Sequence, residues 1–321
     1  MVTLEKIKDA ARVLNGNIRE TDLIFSPTIN PKSKIFLKCE NLQVTGSFKI
    51  RGAFYKISQL SQAEREKGVG ACSAGNHAQG VALSAQKNNI KSSIFIPSIA
   101  PLSKIEATKK YGAEVRLIDG VYDDAYEAAV KYYKESGAVF VHPFDDELVI
   151  AGQGTIGLEL LRQLPELDAV IVPIGGGGLI GGVAACIKNI NPRCKVYGVQ
   201  AKGAPSMVNA LELHELHTLD KVSTVADGIA VKTPGSLTFE LCEKYVDDIV
   251  TVEEDEIATA ILTLIEQQKL IAEGAGAVSV AAAMFNKLPI ENQNVACVVS
   301  GGNIDVTILS RVINRGLLTS G

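Results

Sequence analysis

Residues 169–174 read Ala-Val-Ile-Val-Pro-Ile, and four consecutive glycines follow at Gly175, Gly176, Gly177 and Gly178. A strand with one wet face alternates apolar and polar residues. An unbroken apolar run must be covered on both faces, which means a sheet flanked by helices. The same texture recurs along the chain. Apolar runs of strand length at 35–37, 70–72, 93–96, 114–117, 139–141, 195–199 and 294–299 alternate with helical-period segments at 76–87, 101–111, 122–136, 147–164 and 254–269. This alternation predicts an α/β fold of open, mostly parallel sheets with helices on their faces.

A chain of 321 residues exceeds one core of ordinary size, so two lobes are expected. Charged stretches at 62–67 and 145–147 bracket a self-contained set of strand–helix units. We read 68–143 as a small lobe inserted into a large lobe made of 1–67 and 144–321. No internal repeat, low-complexity tract or long linker interrupts either part.

Composition narrows the function. A net charge of −4 leaves no basic footprint for nucleic acid. No apolar run reaches membrane-spanning length. The start, Met1-Val2-Thr3-Leu4-Glu5-Lys6, lacks the basic head and apolar stretch of a secretory signal. Six cysteines, none in a Cys-x-x-Cys pair, sit largely in apolar runs, which suits free thiols in a reducing cytoplasm and gives no zinc spacing.

The four glycines carry the first chemical signal. Residues without side chains let backbone N–H groups close on an anion, and the helix that follows adds its positive end. A phosphate cradle is the reading; a flexible turn would spend backbone entropy with no structural return. Gly176, Gly178 and Gly181 also match the dinucleotide pattern Gly-x-Gly-x-x-Gly. That pattern needs an acidic residue after the next strand to hold a ribose, and Gln200 stands there instead. The dehydrogenase reading also leaves the remaining motifs unemployed.

Three further segments join it. Lys49 lies in Gly46-Ser47-Phe48-Lys49-Ile50-Arg51-Gly52-Ala53, where a strand gives way to a helix. A lysine desolvated at such a bend loses its proton more easily, and only the neutral amine is a nucleophile able to form a Schiff base. Alone it is an ordinary surface lysine; its company argues otherwise. Ser73-Ala74-Gly75-Asn76-His77 opens a helix whose backbone N–H groups suit a carboxylate, although Ser73 or Asn76 acting as a simple cap explains it equally. His77 has no assigned acid–base duty. Ser300-Gly301-Gly302-Asn303 again follows a strand.

Jointly, and in this order, these segments resemble the fold type II pyridoxal-phosphate enzymes, of tryptophan synthase β-like architecture, and within them the serine/threonine dehydratase group. The likeness spans nearly the whole chain and includes Ala151-Gly152-Gln153-Gly154-Thr155. It implies pyridoxal 5'-phosphate as cofactor, with Lys49 as the Schiff-base lysine and α-proton base. It implies Phe48 beside the ring, Asn76 on the ring hydroxyl, Gly175 to Gly178 on the phosphate, Gly228 close to the cofactor and Ser300 facing the pyridine nitrogen. Ser73, Gly75, Asn76 and His77 would line the pocket of the substrate carboxylate. A serine hydroxyl is a poor proton source, so the ring nitrogen would stay largely unprotonated, which favours expulsion of a β-hydroxyl.

The activity implied is β-elimination from L-threonine, and from L-serine, to a 2-oxo acid and ammonia. Serine racemase is the nearest alternative. Racemisation needs a proton donor on the opposite face; related racemases place a serine directly before Gly-Asn-His, and this chain has Ala74 there. The racemase-like Glu-x-x-x-Ala-x-Asp metal site becomes Gln200-Ala201-Lys202-Gly203-Ala204-Pro205-Ser206, without either carboxylate, so no divalent metal is expected there, while backbone carbonyls leave a monovalent ion open. A cysteine synthase or β-synthase of the same fold and a non-catalytic amino-acid sensor are further alternatives; an intact Lys49 speaks against the sensor. The chain ends just past the helix after Ser300, which implies a short, catabolic-type enzyme without a C-terminal regulatory domain. The group's habit implies a homodimer or homotetramer.

Overall fold

The apolar runs pair into two separate sheets in a computed structural model that describes residues 1–320. Ten strands follow one another: β1 (Leu23–Phe25), β2 (Lys34–Lys38), β3 (Val69–Cys72), β4 (Ser92–Pro97), β5 (Glu114–Ile118), β6 (Val139–Phe140), β7 (Ala169–Pro173), β8 (Lys195–Ala201), β9 (Asp248–Val252) and β10 (Asn294–Val298). The helices are α1 (Leu4–Leu14), α2 (Lys49–Ser58), α3 (Gln62–Lys67), α4 (Asn76–Lys87), α5 (Leu102–Lys109), α6 (Tyr122–Ser136), α7 (Glu147–Gln163), α8 (Gly178–Ile190), α9 (Ser206–Leu213), α10 (Ser236–Tyr245), α11 (Glu254–Thr263), α12 (Gly274–Met284) and α13 (Val306–Ser320).

The larger sheet has the order β1-β2-β10-β7-β8-β9, and the smaller β5-β4-β3-β6. Every pairing is parallel except β1 with β2. Side-chain alternation explains the layers. Ala169 and Ile171 of β7 face one core with Val278 and Ala281, while Val170 and Val172 face another with Leu160 and Val183. Both faces are therefore dry, as unbroken apolar strands require. Among the described residues, no helix is long and apolar enough to cross a membrane.

Two strands, β1 and β9, escaped the sequence reading because they are edge strands, mostly half-buried, without a continuous apolar run. The charged stretch at 62–67 is helix α3 rather than a break. Its Ser61 and Glu64 form a reciprocal capping box, and none of its residues is buried.

Helix α2 is held by charge as well as by packing. The Arg51 guanidinium, completely buried, donates to both carboxylate oxygens of Glu40, to both of Glu159 and to the Thr155 hydroxyl. All five of its N–H donors are used. Lys38 Nζ, equally buried, sits 2.6 Å from Glu159 and donates to the Thr21 carbonyl. Two cations and two carboxylates thus close a neutral cluster. Beside it α2 crosses α7 at a glycine pair. A Cβ on Gly52 would lie 2.5 Å from the Val149 carbonyl, and one on Gly152 2.6 Å from that of Arg51. Gln153 accepts from the Gly52 N–H. The Gly152-Gln153-Gly154-Thr155 segment therefore serves helix docking.

Breaking this cluster from one side strands a buried charge. Arg51→Leu is expected to cost about 3–5 kcal/mol in chemical denaturation. Burial alone would raise Glu40, but the charge and hydrogen bonds of Arg51 outweigh it and hold the carboxyl below its ordinary 4.5. A depressed carboxyl stabilises the fold above its unfolded value and loses that contribution as pH falls through the folded one. Wild-type stability should therefore drop on acidification below about pH 4, and the Arg51→Leu protein should show less of that slope.

Candidate active site

The chain runs outward from β7 through β8 to β9 on one side of the large sheet, while β10 and β2 lie on the other. In open parallel sheets such a reversal leaves a crevice beyond the carboxyl ends of the strands. The segments after β2, β7 and β10 all open there, and the turn after β3 meets them from the small sheet.

Lys49 is the first residue of α2. It is brought to the crevice by a short bridge in which Ser47 pairs with Gly301 and the Phe48 N–H donates to the Ser300 carbonyl at 3.1 Å. The amine donates to the Pro143 carbonyl at 2.7 Å and lies 5.3 Å from the centre of the Phe48 ring. Burial pushes its pKa down to about 8, against an opposing pull from Glu273. Its place at the positive end of α2 acts in the same direction as burial.

The four-glycine loop follows β7 and starts α8. Among the described residues, none accepts a hydrogen bond from the backbone N–H of Gly175, Gly176, Gly177 or Gly178. Four amide donors at a helix N-terminus without an internal acceptor form an anion site. Side chains are excluded from the loop on every side. A Cβ on Gly176 would collide with the Phe144 ring, and one on Gly178 would lie 2.9 Å from the Phe144 backbone. Gly177 has φ +98°, and a Cβ there would meet Met207 and Thr238 at 2.8 Å. Thr238 fixes the loop from behind by donating to the Gly176 carbonyl.

Gly175 lies against the turn of Gly228: a Cβ on it would be 3.5 Å from the Gly228 carbonyl. Gly228 in turn faces Ala275 and Glu273. Glu273 links the remaining parts. Its Oε1 accepts from Asn76 Nδ2 at 2.6 Å, and its backbone N–H donates to Gly301. Asn303 donates to Asn76 Oδ1 at 2.8 Å and to the Thr45 carbonyl. The Asn76 amide is thereby fixed in one orientation, with one N–H left over for a ligand. Ser300 is buried and donates weakly to the Ala275 carbonyl at 3.3 Å.

Ser73 and Gly75 end the approach from the small sheet. The Ser73 hydroxyl accepts from the Gly75 N–H at 3.1 Å, so it orders the turn; Gly75, without a side chain, is the N-cap of α4. A Cβ on Gly75 would meet nothing within 4 Å, so the crevice is open at that point. His77 is buried, and its Nε2 lies 2.7 Å from the Val141 carbonyl. Gln200 is fully engaged elsewhere. It accepts from the backbone N–H groups of Met207 and Val208 and donates to Ile174. It caps α9 and is not free for a ribose.

Glu273 is the residue that sequence reasoning missed. It precedes the alanine-rich run of α12 and belongs to no recognisable motif. Only the fold brings it to Asn76, 197 positions away. Burial pushes its carboxyl up to about 7, reinforced by Asp227 and opposed by the bond from Asn76.

An attacking amine, an anion cradle and an amide in one crevice fit a phosphorylated aldehyde cofactor. The chain belongs to the pyridoxal-phosphate dependent enzymes, whose family model matches residues 14–301. It is 55% identical to an L-threonine ammonia-lyase of Thermotoga maritima, over all of this chain and 80% of that protein. It is 46% identical to a catabolic L-threonine dehydratase of Escherichia coli K12, over 97% of this chain and 96% of that one. Among solved structures it superposes on maize serine racemase with a TM-score of 0.92 at 36% identity, covering 99% of both chains. The processed form of threonine deaminase isoform 2 from Solanum lycopersicum gives 0.91 at 38%, covering 96% of this chain and 91% of that one.

The raised Glu273 carboxyl has a measurable consequence. Between about pH 4.5 and 7 the folded chain keeps a proton that the unfolded chain releases, so this group's contribution falls as pH rises. Glu273→Gln should flatten that decline, read as denaturant midpoints at pH 5, 6, 7 and 8.

Proposed function

We propose that this chain is a pyridoxal-phosphate-dependent ammonia-lyase that converts L-threonine, and also L-serine, to the 2-oxo acid and ammonia. One observation carries the reading: a half-buried lysine, its amine lowered to about 8 by desolvation, shares a crevice with four backbone amides that have no internal acceptor among the described residues. When bound, pyridoxal phosphate supplies an aldehyde carbon and an electron-withdrawing ring that stabilises negative charge at a substrate α-carbon.

The protein's own residues do the rest. The N–H groups of Gly175 to Gly178 would hold the phosphate. Asn76 would offer its remaining N–H to the ring hydroxyl, with Glu273 and Asn303 fixing its angle. Ser300 would face the ring nitrogen with a hydroxyl, a weak proton donor, Phe48 would flank the ring, and Gly228 would leave room beside it. Ser73, Gly75, Asn76 and His77 present the start of α4 to the substrate carboxylate. The Lys49 amine takes the α-proton; near neutral pH a group lowered to about 8 exchanges protons readily. The β-hydroxyl then leaves as water, taking up the one proton that Lys49 removed, and hydrolysis of the released enamine consumes one water to give the 2-oxo acid and ammonia.

Ala74 supports elimination over racemisation, since it offers no proton on the other face. A pocket separates threonine from serine by only about 1–3 kcal/mol per methyl, so both should turn over. We take 68–143, which carry the small sheet, as the inserted lobe. We assign the enzyme to the cytoplasm as a homodimer or homotetramer; six free, buried cysteines suit a reducing compartment.

Borohydride reduction followed by peptide mapping should label Lys49. Lys49→Ala should lower ammonia release from L-threonine by at least about a hundredfold. Release of the 2-oxo acid without any added thiol excludes the synthase chemistry. Chiral analysis of residual serine tests the weight placed on Ala74, and substantial D-serine from L-serine would reverse it.

A further inference from the structure

Residues 141–146, which return the chain from the small sheet to α7, are gripped at nearly every position. The Val141 carbonyl meets His77 Nε2 at 2.7 Å, and the Pro143 carbonyl takes the Lys49 amine at 2.7 Å. The N–H groups of Phe144 and Asp145 donate to His142 Nδ1. The Phe144 ring lies over Gly176. Asp145 accepts from the first turn of α10, and Asp146 from the first turn of α7. The strap therefore joins the lysine, the glycine loop and the small sheet.

His77 is the strap's attachment to α4. A carbonyl oxygen only accepts, so the hydrogen facing it must be on His77 Nε2, which leaves Nδ1 bare. Nδ1 is buried without a partner. The ring is 3% exposed, and burial together with the nearby Lys49 charge pushes its pKa down to about 3. A histidine so enclosed stays neutral and exchanges no proton with substrate. Its one polar contact is with the strap, two residues from the carbonyl on which the Lys49 amine rests.

We propose that His77 is a positioning residue: its Nε2–H holds the Val141 carbonyl, and this fixes the Pro143 carbonyl that orients and shields the Lys49 amine. The proposal rests on Lys49 being the attachment lysine. The strap gives the Lys49 amine a fixed acceptor at 2.7 Å in place of water. The charged or titratable groups facing the amine are His77, His142 and Glu273, and only the first is altered in the test.

The test compares His77→Gln, whose amide nitrogen reaches as far as Nε2, with His77→Asn, which falls short, and His77→Leu, which has no donor. In the full-length chain freed of cofactor by dialysis, the pH midpoint of Lys49 acetylation is read by mass spectrometry. The midpoint reports the amine's pKa and not the rate at which reagent reaches it. Wild type and His77→Gln should titrate near 8. His77→Asn and His77→Leu should titrate about one unit higher, leaving about tenfold less neutral amine at pH 7. In the loaded enzyme the same two variants should lose kcat by about that factor, with KM changed less. Should His77→Leu fail to fold, the contrast of Gln with Asn still decides. An unmoved midpoint in Asn, or an equal shift in Gln and Asn, overturns the positioning role while borohydride labelling of Lys49 stands. A wild-type midpoint at the ordinary lysine value overturns the proposal, and labelling of another lysine overturns the functional reading as well.

Discussion

The placement of one amine depends on a buried ionic cluster two residues further along its helix. Arg51 cannot relax without exposing or orphaning a carboxylate, because each of its donors already has an acceptor in Glu40, Glu159 or Thr155. These acceptors belong to the segment after β2 and to α7. The cluster therefore fixes α2 against two elements at once, and the glycine crossing at Gly52 and Gly152 removes the slack between helices. Hydrophobic contact alone would hold α2 nearby but would tolerate a sliding or rotating helix. Directional, desolvated hydrogen bonds do not. If Lys49 is the attachment lysine proposed above, its nitrogen must be placed to within a few tenths of an ångström, which needs that second kind of restraint.

Charge within the crevice is arranged differently. There the groups are kept near the point of changing state. Lys49 is lowered by burial and Glu273 is raised by it, so both approach neutral pH from opposite sides. His77 is pushed by burial far below neutral and is inert. Burial thus separates groups that exchange protons from groups that only hold shape. The four glycine amides add a fixed positive potential that needs no titratable residue.

Much of this was legible in the residues. Unbroken apolar runs gave the sheets because burial on both faces removes the need for alternation. The glycine loop was legible because four residues without side chains are costly unless something must come close. Lys49, Asn76 and Ser300 were legible as parts of motifs beside strand ends. Edge strands β1 and β9 were not, since half-buried strands show no distinctive pattern. Glu273 was invisible because a lone glutamate before an alanine-rich helix is usually a solvated cap, and its environment is created by distant segments. The Ala151-Gly152-Gln153-Gly154-Thr155 segment entered only as part of the resemblance; its physical task, receiving α2, emerges only from the helix crossing.

The strap between the two sheets also constrains how the chain can vary. Strand β6 is two residues long, and α7 begins seven residues after it ends. Within that span Val141, Pro143 and Phe144 meet His77, Lys49 and the glycine loop in turn. Deleting one residue ahead of Phe144 would put Asp145 where the Phe144 ring belongs over Gly176, and inserting one would move the Pro143 carbonyl away from the amine. Most surface connections in a protein of this size absorb length changes easily. This one has a fixed length, and homologous chains that keep the lysine should keep its residue count even where neighbouring loops grow or shrink.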